Sequence, residues 1–129
     1  MGTTREILFT DRKQYFDQIT SRFLTIGAPK AATIELVSES GGDQFATVAA
    51  RLLGLDYDPA GDTFVVVLED TRHTVTCPME IWVIEEDDGS ISALELICSD
   101  GTQEIVHVRL SGPLARLDEL PLLRLSLER

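Results

Sequence analysis

Apolar and polar positions change their rhythm twice along this chain. In the first stretch Phe16, Ile19, Phe23 and Ile26 recur at three- and four-residue steps, with Lys13, Gln14, Asp17, Gln18 and Arg22 between them. That spacing predicts an amphipathic helix. Thr10 stands where an N-cap belongs, and Gly27 and Pro29 close the pattern, so the helix is placed at 11–24. Beyond Pro29 the period shortens to two. Ile34 and Leu36 alternate with Thr33 and Glu35, which predicts a strand over 32–39. Val48, Ala50 and Leu52 alternate with Thr47, Ala49 and Arg51, which predicts another over 44–55 in spite of its alanines. The run from Ser40 to Asp43 between them is a turn. Asp58-Pro59-Ala60-Gly61-Asp62 is a second turn, and the unbroken apolar run after it predicts a strand over 63–69 buried on both faces. A short extended piece over 72–76 follows, because Pro78 biases Cys77 away from helix.

The clearest signal lies between 79 and 110. Three segments, 79–85, 91–98 and 102–110, are rich in β-branched and aliphatic residues, and Asp88-Gly89 and Asp100-Gly101 separate them. Such a pattern predicts consecutive antiparallel hairpins. A three-residue loop Ser99-Asp100-Gly101, with Gly101 in a bulge, sets Leu94 opposite Val106. It turns Val106, Val108 and Leu110 inward and His107 and Arg109 outward. Slipping by one residue would send the whole apolar set to the wrong face. The first turn leaves two registers open. One pairs Cys77 with Cys98, and the other sets Met79 opposite Cys98.

The rhythm changes again after Leu110. Leu114, Leu117, Leu120, Leu123 and Leu127 recur at helical steps, broken by Pro121. A short helix over 113–120 and then an extended or kinked tail are expected. Each of these leucines is worth about 1.5–3 kcal/mol when buried, so they must cover the sheet of this chain or of a partner. The expected fold is therefore α+β. An N-terminal helix packs on a twisted antiparallel sheet of about six to seven strands, curled toward a half-barrel, with the leucine-rich segment closing one edge.

Composition narrows the function more than it defines it. The chain has 129 residues, 43% of them hydrophobic and 6% aromatic, so aliphatic packing must build one domain's core. Net charge is −11. A surface of that sign repels nucleic-acid phosphate and anionic lipid, so neither is an expected partner. The first ten residues are too polar for a secretory signal, and no apolar run has the length of a membrane span. Two cysteines, Cys77 and Cys98, do not make a disulfide framework, and a cytoplasmic location is the expectation.

Candidate chemistry is sparse. His73 sits in Asp70-Thr71-Arg72-His73-Thr74, just after a buried strand, with Glu69 close behind. A histidine among carboxylates is a candidate general base or pH-sensitive contact, so His73, Arg72, Glu69 and Asp70 form the candidate ligand site. Its structural alternative is a hydrogen bond that holds a loop. His73 and Cys77 lie four residues apart, but on a strand that is about 13 Å, too far for one zinc ion. Glu85-Glu86-Asp87-Asp88-Gly89 lacks the ligand alternation of a calcium loop. No metal, cofactor or catalytic residue is expected.

Several pieces, taken in order, resemble one small bacterial domain-of-unknown-function family: Arg5-Glu6-Ile7, Val48-Ala49-Ala50-Arg51-Leu52-Leu53, His73-Thr74-Val75 with Pro78, Ala93-Leu94-Glu95-Leu96, Asp100-Gly101-Thr102 and Val108-Arg109. The resemblance spans roughly residues 5 to 110 and leaves the leucine-rich tail outside. It implies a single α+β domain and brings no chemistry with it. Function is then expected to be association, as a homo-oligomer joined through Leu114, Leu117, Leu120 and Leu123 or a sheet edge. The alternatives are a small-molecule-binding or hydrolytic pocket near His73, and an acidic partner of a basic protein, of the immunity or mimic type.

Overall fold

The alternating segments assemble into one antiparallel sheet of eight strands. The computed structural model describes residues 2–37 and 43–110. In chain order the elements are β1 (Thr3–Glu6), α1 (Arg12–Ile19), β2 (Lys30–Val37), β3 (Asp43–Asp58), β4 (Thr63–Leu68), β5 (Arg72–Thr76), β6 (Pro78–Glu85), β7 (Ile91–Cys98) and β8 (Gln103–Leu110).

This corrects the expected fold class. The chain is mostly one large sheet with a single short helix, not a helix packed on six to seven strands. Two local causes account for the difference. The helical rhythm read over 11–24 holds as α-helix only for Arg12–Ile19 and then widens into a π-type turn over Thr20–Leu24, which leaves Ile26 exposed. The added strand, β1, is Thr-Thr-Arg-Glu. Three of its four residues are exposed, so it carries no apolar alternation to read. The helix expected over 113–120, with its leucines, lies outside the described residues, and so does Ser40-Gly41-Gly42.

The strand order is β1-β6-β7-β8-β2-β3-β4-β5. β5 ends this order and β6 lies near its other end, yet only Cys77 separates them in the chain. The sheet must therefore curl until its two ends are one continuous stretch, residues 72–85. The corner is made at Cys77, which takes φ 52°. Its N–H donates to the carbonyl of Asp62 at 2.7 Å, and Asp62 itself takes φ 48°. Non-glycine residues rarely adopt this left-handed region, so the hydrogen bond between the two holds both in place.

β3 makes the opposite transfer. β2 pairs with it from Asp43 to Leu52, and β4 pairs with its other edge from Leu52 to Asp58, with a register shift between Leu52 and Gly54. Beyond the end of β2 the backbone of Leu55 finds its partner on the helical segment. Its N–H donates to Thr20 Oγ1 at 2.9 Å, and the same hydroxyl donates to its carbonyl at 2.8 Å. In the β7–β8 hairpin, Gly101 takes φ 87° and Leu94 stands opposite Val106. Pro78, not Cys77 or Met79, stands opposite Cys98, beside a bulge between Pro78 and Glu80. The inward faces of both parts of the curl supply the core, including Phe64, Val66, Leu94, Leu96 and Val106, with Phe16 from the helix.

Candidate functional site

His73 opposes Val66 on β4, and Val66 is buried, so the imidazole shares the inward face of β5 with Val75. Glu104 opposes Leu96 and Leu36 on β8 and belongs to the inward set with Val106 and Val108. The curl brings the two faces together, and His73 Nε2 meets Glu104 Oε1 in a direct hydrogen-bond contact across the interior. Only 22% of the His73 side chain and 16% of the Glu104 side chain remain exposed. Cys98, also partly buried against the core, lies in the same region. Burial pushes its thiol up, Glu104, Asp100 and Cys77 push it further in the same direction, and a hydrogen bond with Thr102 opposes them. A thiol held protonated is a poor nucleophile. Among the described residues no hydroxyl or thiol is hydrogen-bonded to His73. The pair therefore acts as a polar tie between β5 and β8, both of which it fixes at a partly wet margin of the core.

The other predicted site residues lie elsewhere. Arg72 is exposed on β5, opposite Val67. Glu69 and Asp70 sit on the β4–β5 turn and line a groove of about 320 Å³ with Thr47, Ala49, Arg51 and Leu68. Glu69 approaches Arg51 at 3.9 Å with both side chains largely in water, and its N–H donates to the Arg51 carbonyl at 3.0 Å. An exposed pair at that distance adds little stability. Glu69 and Asp70 are thus brought together, while His73 is turned away from them into the sheet. His107 faces outward and meets Glu35 at 3.2 Å. Leu114, Leu117, Leu120 and Leu123 lie outside the described residues. Among the described residues no three His, Cys, Asp or Glu side chains cluster to hold a metal ion, and no helix is long and apolar enough to cross a membrane.

The residue that sequence reading passed over is Arg12. It opens α1, and only 3% of it is exposed. Its guanidinium donates to the carbonyls of Pro78 and Met79, each at 3.1 Å, and to the Tyr57 hydroxyl at 3.4 Å. Asp62 stands 3.6 Å away, and Tyr57 also bonds to Asp62. The Arg12 cation lies 5.3 Å from the centroid of the Tyr57 ring and 5.6 Å from that of Phe9. Burial pushes the Tyr57 hydroxyl up, as does its bond to Asp62, while Arg12 pulls it down. This fork thus ties the helix to the start of β6, just past the Cys77 corner, and to Asp62, whose carbonyl holds the Cys77 N–H. Nothing in its neighbours' spacing marks it, because it occupies what reads as a polar position of a surface helix.

Residues 3–116 match the model of a family of unknown function, DUF5335. The chain belongs to that family. A relative of this DUF5335 chain is an uncharacterized protein of Aquifex aeolicus (strain VF5), 33% identical over 103 residues that cover 79% of this chain and 88% of the relative. No solved structure matches. The DUF5335 match takes in all eight strands and Leu114, and it stops before Leu117, Leu120 and Leu123. The family description names no activity, so any chemistry has to be argued from the residues themselves.

Proposed function

We propose that this protein works by association, as a homo-oligomer whose copies meet through Leu114, Leu117, Leu120 and Leu123. The observation that supports this reading is that the buried core runs from Ile7 to Val108 and is supplied by the strands, the helix and the segment that leads into it. On this reading the leucines beyond Leu110 cover another copy, and each contributes about 1.5–3 kcal/mol in doing so. That three of the four fall past the family match agrees with a segment added to the domain. The reading does not need the His73–Glu104 pair to do chemistry.

Light scattering on two chains tests it. The full chain is expected to scatter as an oligomer of its 14.3 kDa subunit, and a chain ended at Gly112 as a folded monomer. Two folded monomers would refute the proposal.

A further inference from the structure

We infer that the leucine segment of one copy docks on the outer face of the other copy's sheet, along an apolar stripe through Trp82, Ile97, Ile105 and Val37. The inference rests on the reading that copies meet through these leucines, and it names the surface that receives them.

The strand registers lay the stripe out. Ile81, Leu96, Val106 and Ile34 are buried inside the curl, so the residues that alternate with them point outward. Between β6 and β7, Trp82 stands opposite Glu95 and Glu80 opposite Ile97. Between β7 and β8, Glu95 stands opposite Ile105 and Ile97 opposite Gln103. Between β8 and β2, Ile105 stands opposite Glu35 and Gln103 opposite Val37. Apolar and polar positions therefore form a checkerboard across four strands. Trp82, Ile97, Ile105 and Val37 are diagonal neighbours in it, within reach of one another for side chains of this length. All four are partly exposed, and Ile84, the next outward residue of β6, is 37% exposed. The helical segment packs against β3, and its Phe16 fills the inner side, so it does not cover this stripe. The solvated face of an antiparallel sheet is ordinarily polar, and a continuous apolar stripe on it marks a contact surface.

The glutamates between the apolar residues say what kind of segment fits. Glu80 accepts from Trp82 Nε1 at 2.8 Å, and Glu95 accepts from Gln103 Nε2 at 3.1 Å. Both donors are neutral. Arg109, on the same face, donates to the carbonyls of Ser92 and Val108. The occupant should therefore be rich in aliphatic side chains and carry cations among them.

Residues 111–129 have that composition. Arg116 lies next to Leu117, and Arg124 lies between Leu123 and Leu125. Within 111–129 the arginines at 116, 124 and 129 balance Asp118, Glu119 and Glu128, so the whole net charge of −11 belongs to residues 1–110. Two such bodies repel each other. The leucine segment is the part of one copy that can approach the acidic sheet of another without net repulsion, and its arginines can reach Glu80 and Glu95. It is also long enough. The stripe crosses four strands, about 14 Å, whereas 114–127 would span about 20 Å even if wound as a helix. Exchange of the two segments makes a closed, two-fold dimer, because each copy offers both the stripe and its occupant.

The test uses the full chain, Ile105→Lys on the stripe and Leu117→Glu in the segment. Sedimentation velocity and the fluorescence of Trp82, the chain's one tryptophan, are followed through a dilution series. While the dimer persists, the parent's Trp82 should emit at shorter wavelength and resist quenching by acrylamide. As the dimer dissociates, emission should move to longer wavelength and quench readily. Ile105→Lys keeps the sheet folded, since the new cation stands between Glu95 and Glu35. It should weaken the dimer about tenfold or more by removing the apolar centre and repelling the incoming arginines. Trp82 emission that ignores dissociation would overturn the docking, and this readout needs no variant to fold. A dimer weakened by Leu117→Glu but indifferent to Ile105→Lys overturns the stripe alone and leaves the leucine contact standing. A dimer indifferent to Leu117→Glu overturns the leucine contact and the docking with it. A full chain that is monomeric at every concentration overturns both, and a shielded Trp82 in that monomer would put the segment on its own sheet.

Discussion

Phe16→Ala should cost about 4 kcal/mol of folding stability, the range for emptying a fully buried aromatic site. Phe16 has no exposed surface. Its ring meets Phe64 edge-on, with centroids 4.9 Å apart, and Tyr15 at 5.1 Å. Those geometries add to the plain burial of area. The site has little means of collapse, because Phe64 is paired on both sides, opposite Tyr57 on β3 and Val75 on β5. Phe16→Leu should cost much less, about 1–2 kcal/mol, since most of the volume is kept. Urea unfolding of the two variants checks the order. Equal midpoints for Phe16→Ala and the parent would mean that the helix does not plug the core at this point.

Arg12→Ala should cost about 3 kcal/mol. The carbonyls of Pro78 and Met79 and the hydroxyl of Tyr57 would each lose a charged donor in a place water reaches poorly. Asp62 is partly exposed, so it is left with water for company and the loss falls at the lower end for a broken buried pair. Arg12→Lys should recover only part, because one ammonium cannot span the carbonyls that the planar fork reaches. Thermal unfolding is the readout, with Tm expected to drop by about 10 °C or more in Arg12→Ala. A drop confined to a degree or two would show that the Cys77 corner holds without the fork.

The parts legible in the sequence are the local ones. The β7–β8 hairpin is set by Asp100-Gly101 and by the alternation of Leu94 and Leu96 on one side and Val106 and Val108 on the other, and these place Leu94 opposite Val106, although Leu110, expected inward, is exposed. Both cues act within a dozen residues. The insertion of β2 between β8 and β3 is a contact of high sequence separation, and no periodicity encodes it. The helical rhythm over 11–24 matches a segment that is α-helix to Ile19 and π-helix to Leu24. The pattern reports which residues seek cover, not whether the backbone widens into a π-type turn. The Cys98 register fell between the two alternatives because a bulge beside Pro78 shifts the pairing by one.

The site followed the same division. His73 was visible as a histidine close to carboxylates, and Glu69 and Asp70 were its obvious neighbours in sequence. The structure gives it Glu104 instead, 31 residues away and reachable only through the curl. Glu69 and Asp70 serve the groove beside β3. The family resemblance is readable from Arg5-Glu6-Ile7 through Val108-Arg109, and the match over residues 3–116 agrees with it.

The claim on which association depends is that the strands close their own core by Leu110 and leave the following leucines for a partner. Amide hydrogen exchange on the chain ended at Gly112 tests it most directly. The account predicts that the amides of β2, β7 and β8, which form the middle of the sheet, keep near-global protection without the leucine segment. Fast exchange throughout those strands would contradict it, because the leucines would then belong to this chain's own core.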